Sequence, residues 1–585
     1  MRNNQTVSDH RVQPPTRNTR QQINYAGQEF LTHVSRLPSL LPSPRDYAEL
    51  KTSWTKDLIA GATVGIVALP LALGFGVASG VGAAAGMVTA VVAGIVAAIF
   101  GGSHLQVSGP TGAMTVVLLP VIAQYGLGAV PTLAILAGIF VIVMGLTGLG
   151  RSVDLIPYSV VEGFTMGIGV IILLQQIPLA TGTPAVPSEF SLVSAYKTLA
   201  ATDWPTAWRP MVVLIGTVII LAAFQTFARK VPAALIAIVI TTVIVELSGF
   251  EVDRIGQLPA GLPKPSLPDL EWSTITSFGA PALAIAALAA LESLLSARVA
   301  DGMAPTVGRT KPDRELVGQG LANVASGLFG GLPATGAIAR TAVNVRSGAR
   351  TRFSAVVHAV LLLVIILALS KPVSLIPLSA LGGILVMTAW KMINFKHAGN
   401  IMRTTRADRN TFLFTLACTI VLDLIMAVLL GMAMAAVMSL RHMANYSVVR
   451  RERLPADTPA GKVDIPVDAE WLRDDLALFR VDGALFYGDA RRFVDEVTSV
   501  TDVRAVIIRM HRLKILDASG AVALKDAIDI LRRKGIFVLV QGMTAAQLKT
   551  SIRVHALTAE DHVDDLTDAI DVVRATLEPK PEYSI

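Results

Sequence analysis

Apolar residues from about residue 50 to residue 445 come in long blocks, and no Asp, Glu, Lys or Arg occurs between Leu58 and Gly150. A charge-free apolar run of about 18 residues already suffices for a membrane-spanning helix. The blocks predict fourteen segments, at about 57–77, 82–101, 110–123, 130–149, 158–176, 210–228, 232–248, 278–300, 313–330, 334–346, 354–370, 376–394, 409–425 and 427–443. Beyond Arg441 the pattern changes to short alternating strands, at 476–481 and 505–509, and charged amphipathic helices such as 521–533. That pattern is the signature of an α/β domain of ordinary size. The expected organisation is an N-terminal cytoplasmic tail at 1–45, a membrane domain at 46–445, a linker at 446–466 and the α/β domain at 467–585.

Two of the fourteen segments are too short to span, and they open with nearly the same peptide, Gly-Pro-Thr-Gly-Ala at 109–113 and Pro-Ala-Thr-Gly-Ala at 333–337. Each is the third of seven segments, at about 57–248 and 278–443. Short Gly/Pro-interrupted segments at matching places in two halves mark the binding site of a transporter built from repeats. Seven is odd, so the second repeat is expected to be inverted. Helices over 111–122 and 335–346 are about 18 Å long at 1.5 Å per residue and so begin near the midplane. Unpaired amides and about half a positive charge at each start suit an anion. Gly112 and Gly336 would let a ligand approach the backbone, beside Ala113, Ala337, Ile338 and Ala339. The preceding stretches, 105–108 and 329–332, are expected to be extended and paired antiparallel, because non-helical backbone at this depth must be buried or line a cavity. The competing reading makes both Gly/Pro sites simple helix kinks.

Composition narrows the possibilities. Only 16% of residues are charged, against roughly 25% in ordinary globular chains, while 52% are hydrophobic. The net charge of +7 does not signal nucleic acid, since its basic residues lie in short loops between apolar segments, without a concentrated basic face. Placing the N-terminus in the cytoplasm puts Arg151, Arg229, Lys230, Arg298, Arg314, Arg346, Arg352 and Lys391 on the inner side, which fits the positive-inside rule with both chain ends inside. No apolar signal segment precedes residue 40. Cys418, the lone cysteine, sits in an apolar run and is expected to be a core residue.

Arg340 falls inside the second short helix and Glu292 near the middle of its segment, about 16 Å along the helix from Pro281. A charged residue at that depth is a functional candidate. Arg340 adds a full charge beside the helix start, or forms a structural ion pair with Glu292. An ionised carboxylate there repels an anion, so Glu292 is expected to take up a proton or a cation as the anion enters. Leu71 and Phe75, around the break at Pro70, would line the same cavity, although an aromatic in an apolar helix needs no reason beyond packing. His104 is expected at the inner boundary and Asp423 near the last tight turn.

These residues resemble the SulP family of sulfate permeases and related anion transporters, over about residues 50–580. The resemblance rests on Ala-Leu-Pro-Leu-Ala-Leu-Gly-Phe at 68–75, Gln-Val-Ser-Gly-Pro-Thr-Gly-Ala at 106–113, Glu292 through Ser296 with 300–303, and 333–346. It implies fourteen helices in two inverted seven-helix repeats. These form a core domain that moves like an elevator against a dimerising gate domain. It also implies an anion between the third and tenth helices, against Leu71, Phe75, Thr111, Ala339 and Arg340. The sodium site of bicarbonate-transporting members matches Glu292 and Ser296, with Glu here in place of Asp, which favours proton coupling; Thr335 completes the expected coupling group. Many relatives carry Gln at the position of Leu71, which leaves the substrate open. The C-terminal domain resembles the STAS domain through Leu-Asp-Ala-Ser-Gly at 516–520. In the related anti-sigma-factor antagonists the serine at the position of Ser519 is phosphorylated; the alternative role here is a helix cap.

The expectation is thus a proton-coupled symporter of small anions in a bacterial inner membrane. Sulfate is the family default, with bicarbonate or a C4-dicarboxylate also open, and no organic cofactor or metal is expected. Lipid, a second copy of the chain and a cytoplasmic partner of the STAS domain are the expected partners. A sodium-coupled bicarbonate symporter, an anion channel and a STAS signalling anchor are the alternatives; an enzyme is not expected, because no nucleophile elbow, phosphate loop or zinc cluster occurs in the α/β domain.

Overall fold

The structure, a computed structural model, describes residues 40–577 apart from 152–155, 187, 189, 228–231, 259–260, 269–271, 423, 447, 453–471, 487–489 and 501. Residues 1–39 of the tail, Arg229, Lys230, Asp423 and most of the expected linker lie outside the described residues. The chain divides into two compact units, Met1–Met432 and Ala433–Ile585.

In the first unit the apolar blocks become helices α1 (Leu50–Ala78), α2 (Ala83–Phe100), α3 (Gly112–Tyr125), α4 (Ala129–Leu146), α5 (Tyr158–Leu174), α6 (Ile177–Thr181), α7 (Ser191–Ala200), α8 (Trp204–Phe227) and α9 (Ala233–Ser248). They continue as α10 (Trp272–Met303), α11 (Pro312–Leu328), α12 (Ile338–Arg346), α13 (Phe353–Ser374), α14 (Leu378–Met392), α15 (Phe395–Met402) and α16 (Arg406–Val421), and α17 (Leu424–Tyr446) begins in this unit and runs past its limit at Met432. Among the described residues, eight helices are long and apolar enough to cross a membrane. Exposed faces such as Ile215, Ile219, Val243, Val364 and Leu367 present the apolar surface that lipid would cover.

Helices from the two halves interleave. α1 and α2 pack on α13, α4 on α11, and α5 on α14 and α16. The α4–α11 contact is backbone to backbone: a Cβ on Gly138 would lie 2.6 Å from the Gly320 carbonyl, and one on Gly320 would lie 2.6 Å from the Gly138 carbonyl. Small residues permit the close approach on which helix association in lipid relies. One cluster of the core gathers Leu118, Leu133, Ile172 and Ile285; another gathers Leu73, Met87, Leu362 and Leu385. Cys418 is buried, as its apolar surroundings suggest.

One expectation about this unit changes. The extended pairing lies at β1 (Ser108–Gly109) and β2 (Thr335–Gly336), antiparallel, with Ser108 opposite Gly336 and Gly109 opposite Thr335. The second strand therefore lies beyond 329–332, in residues expected to be helical. The reason is that the intervening backbone is already engaged. Leu332 donates its N–H to Thr89 at 2.6 Å, and the Ala334 N–H and carbonyl both bond the Asn323 amide, at 2.8 and 2.9 Å. Consequently the two short helices are unequal, 14 residues in α3 and nine in α12.

Two of the basic residues assigned to inner connections are buried. Arg314 and Arg352 are each 1% exposed. Arg314 pairs with Asp46 at 2.8 Å, and Arg352 donates to the carbonyls of Ile99 and Gly101 at 3.1 and 2.9 Å. Glu315 accepts from the Gly102 and Ser103 amides at 2.8 and 2.9 Å. The non-helical backbone that follows α2 is thus held by charged side chains from the other half of the sequence.

In the second unit β3 (Val448–Glu452), α18 (Leu472–Asp475), β4 (Leu476–Leu485), α19 (Ala490–Thr498), β5 (Ala505–Arg509), β6 (Leu513–Leu516), α20 (Ala518–Arg533), β7 (Phe537–Gln541), α21 (Ala545–Arg553), β8 (His562–Val563) and α22 (Leu566–Thr576) follow in order. The sheet runs β3-β4-β5-β7-β8, with β6 on β4, and every pairing is parallel except β3 with β4. β3 begins within the stretch expected to be linker. Phe479, Val506 and Ile508 meet Phe493 and Leu524 on one face, while Leu478, Ile507 and Leu539 meet Leu566 and Ile570 on the other. A sheet buried on both faces needs such near-continuous apolar strands.

Candidate functional site

The β1–β2 pairing is the local cause of the site. Each strand is followed at once by a helix, so antiparallel pairing brings the starts of α3 and α12 to one place from opposite directions. α3 is entered through Thr111 and α12 through Ala337, both extended and neither supplying a side-chain cap to the first-turn amides. Those amides are the ones a helix leaves unbonded. Polar residues spaced along α11 keep the strands in place: Gln319 accepts from Ser108 Oγ at 2.9 Å and donates to the Ala334 carbonyl at 2.9 Å. Asn344 of α12 holds the Leu105 carbonyl at 2.8 Å.

Glu292 of α10 sits at the junction. Its Oε2 accepts hydrogen bonds from Thr111 Oγ1 at 2.9 Å and Thr335 Oγ1 at 2.6 Å. One residue on, Ser293 Oγ accepts the Gly336 N–H at 3.0 Å. Ser296 does not join Glu292; its hydroxyl meets Thr341 Oγ1 at 2.9 Å, and that oxygen also accepts the Val107 N–H at 3.1 Å. Ser296 therefore ties α10 to α12 a turn away from the carboxylate.

Arg340 is buried, and its guanidinium donates to the Pro110 carbonyl while Nη1 has no hydrogen-bond partner. The ion pair with Glu292 offered as its competing role is not formed in this conformation; the guanidinium bonds the Pro110 carbonyl. Gln106 is buried with both amide atoms unpartnered, against Gly336, and His358 of α13 is buried with Nε2 unpartnered. Neither was singled out from the sequence. The glutamine lay within the Gln-Val-Ser-Gly-Pro run as the residue before the strand, and a polar residue at that depth is the signal that could have found it.

The two glycines do not leave open space. A Cβ on Gly112 would overlap Ile172 of α5 and lie 3.3 Å from Phe75 Cε1, and a Cβ on Gly336 would overlap the Gln106 amide. Their side-chain room is filled by neighbours, so open access to the backbone is not what they supply here. Leu71, Phe75 and Ala113 are buried, Phe75 beside Gly112 at the start of α3, whereas in the first turn of α12 Ala339 is exposed and Ile338 half-buried. Thr335, Ala337, Arg340 and Thr341 around the start of α12 are buried as well.

In the α/β unit, Ser519 is not the cap of α20. Asp517 is, because it immediately precedes the helix and its carboxylate accepts the Gly520 N–H at 2.7 Å, while Ser519 already lies inside the first turn, where it is exposed. Among the described residues no group of His, Cys, Asp or Glu is arranged to hold a metal ion.

Comparison with known proteins agrees with this architecture. The sequence profile of the Sulfate permease family matches residues 54–415, and that of the STAS domain matches residues 472–565. The bicarbonate transporter BicA of Picosynechococcus is 32% identical over 81% of this chain and 86% of its own. YvdB of Bacillus subtilis, whose name assigns it to sulfate transport provisionally, is 34% identical over 88% of this chain and 97% of its own. Among solved structures, the transmembrane domain of a cyanobacterial BicA covers 66% of this chain and 97% of its own, with 32% identity and a TM-score of 0.56. SLC26A9 covers 98% of both chains at 16% identity with a TM-score of 0.75, a likeness of fold.

Proposed function

Because the chain belongs to the sulfate permease family of anion transporters, and so is a carrier and not an enzyme, we propose that it is a secondary transporter coupling entry of a small anion to protons through Glu292. The observation that carries this reading is the shared carboxylate oxygen. Glu292 Oε2 joins Thr111 at the start of α3 to Thr335 just before α12. An anion seated on the two starts meets about half a positive charge from each helix and a full one from Arg340, about two units in all. The carboxylate opposes that charge, and a proton on Glu292 removes the opposition while keeping an oxygen for the threonine hydroxyls. Anion and proton then enter together.

Sulfate is the first candidate because its two charges match this field; bicarbonate and a C4-dicarboxylate follow. The sodium alternative draws on the resemblance of Glu292 to the sodium-site position of bicarbonate-transporting members, but Ser296 is engaged with Thr341 and not with the carboxylate. Fourteen segments in two inverted repeats, an elevator movement of core against gate, a homodimer, a bacterial inner-membrane location with both ends in the cytoplasm, and a regulatory or assembly role for the STAS domain, with Ser519 as its modifiable residue, belong to the same reading. Exposure of Ser519 suits modification. The test is uptake into liposomes of labelled sulfate, bicarbonate and succinate under separate proton and sodium gradients. Concentrative sulfate uptake driven by an inward proton gradient supports the proposal; uptake indifferent to both gradients overturns it.

A further inference from the structure

Around the end of α14 the chain carries charge that takes no part in the site at Glu292. α14 stops at Met392, Ile393 and Asn394 leave the helical conformation, and α15 starts afresh at Phe395 with the Asn394 side chain accepting the His397 N–H at 3.2 Å. Ile393 and Ile401, 7% and 4% exposed, seat this segment on the protein, and α15 packs on α5 and α16. Its other side is open. Trp390 and Phe395 are 57% and 58% exposed, with ring centroids 5.5 Å apart, and Leu413, about two turns into α16, continues the exposed apolar surface.

Four exposed cations share the segment. Lys391 and Lys396 each stand next in sequence to one of the two rings, and Arg403 and Arg406 lie at the passage from α15 to α16. None of the four makes an ion pair with a described residue. The carboxylates nearest to them in the fold are engaged elsewhere: Asp408 accepts the Thr405 hydroxyl at 2.8 Å in the cap of α16, and Glu162 of α5 meets His397 Nδ1 at 3.3 Å. Exposed aromatic rings settle at the headgroup level of a bilayer, where an apolar body and a wet edge are both satisfied. Cations at that level, just past the end of a spanning helix, meet lipid phosphates, and each strengthens the hold on an anionic lipid about fivefold.

We propose that Lys391, Lys396, Arg403 and Arg406, with the Trp390–Phe395 pair, form a binding surface for an anionic phospholipid. The four cations share its headgroup, and its acyl chains lie along the rings and the apolar face of α16. A zwitterionic lipid brings its own ammonium group and no net charge, so it gains little from the same surface. The proposal depends on this end of α14 meeting a leaflet of the membrane and not on which ion drives transport.

The test reads Trp390 in full-length protein reconstituted into phosphatidylcholine vesicles, into which brominated phosphatidylglycerol or brominated phosphatidylcholine is titrated as quencher. Trp390 is one of six tryptophans, so its share is the emission that Trp390→Phe removes. Half of that share should be quenched at a mole fraction of phosphatidylglycerol at least about fivefold lower than of phosphatidylcholine. Lys396→Gln with Arg403→Gln should bring the two lipids within about twofold. Lys197→Gln with Lys264→Gln removes the same charge from exposed positions outside the surface and should leave the preference in place. In the unaltered protein, raising salt from about 0.05 to about 0.5 M should shrink the preference as well, by screening. Equal quenching by both lipids, a preference that survives the double substitution or the salt, an equal loss in the Lys197 and Lys264 control, or a Trp390 that neither lipid reaches because protein covers it would each overturn the proposal. Failure of the transport reading shows instead as absent anion uptake, which the quenching does not measure.

Discussion

Thr111 and Thr335, 224 positions apart in sequence, place their hydroxyl oxygens 3.4 Å from one another and both donate to the same oxygen of Glu292. Each threonine stands at the corresponding place in its Pro-x-Thr-Gly-Ala or Pro-Thr-Gly-Ala peptide, so the two halves of the chain meet at one atom. Each hydroxyl has a single O–H, and both are spent on this carboxylate, so the donors left to an entering anion are the backbone amides of the helix starts.

Replacing Glu292 by Gln keeps an acceptor for both threonines and removes the titration. Uptake into liposomes should continue at a reduced rate and lose its dependence on an imposed proton gradient. Undiminished proton coupling in Glu292→Gln would falsify the assignment.

Thr335→Val leaves the carboxylate with one hydroxyl donor of two in a buried setting. A cost of about 1–3 kcal/mol in thermal stability is expected, measured by unfolding in detergent. The serine variant, which restores the hydroxyl, should recover most of it.

Gly336→Ala drives a methyl into the Gln106 amide. Transport should fall sharply, while Gly336→Ala with Gln106→Ala should recover a substantial part, since the second change vacates the space. If the double variant is no better than the single, the clash is not the cause.

Asp46 neutralises a guanidinium that is 1% exposed in its side chain. Asp46→Asn leaves Arg314 buried without its counter-charge, and breaking such a pair from one side costs about 3–5 kcal/mol. Melting of the detergent-solubilised protein reads this directly, and a shift no larger than that of an exposed Asp→Asn control would count against it.

In the α/β unit, burial works to raise the Asp561 pKa, but bonds from the Thr558 N–H and hydroxyl and the Arg532 guanidinium outweigh it and hold the group below its ordinary 3.8. A depressed carboxylate contributes stability above its unfolded value and loses it as pH falls through the folded one. Hydrogen exchange in residues 545–577 of the full-length protein should therefore be insensitive to pH between neutrality and about 5, after correction for intrinsic exchange, and accelerate below 3.8. Asp561→Asn should flatten that acid response.

The sequence by itself determined the apolar blocks, the break to an α/β domain near residue 445, and the two matched Gly/Pro peptides that announce short helices. These are local properties: length without charge, period of burial, and residues that interrupt a helix. Glu292 and Arg340 were legible for a related reason, since charge inside an apolar block is conspicuous wherever the chain goes. What only the tertiary structure decided depends on partners distant in sequence. The register of β1 on β2 follows from which backbone groups Thr89, Asn323 and Ser326 had already engaged. Burial of Arg314 and Arg352 depends on carboxylate and carbonyl acceptors brought from other helices, and no window of sequence contains both members. Ser296 turned to Thr341, and Ile172 settled on Gly112, because helix packing selects among faces that periodicity leaves equivalent.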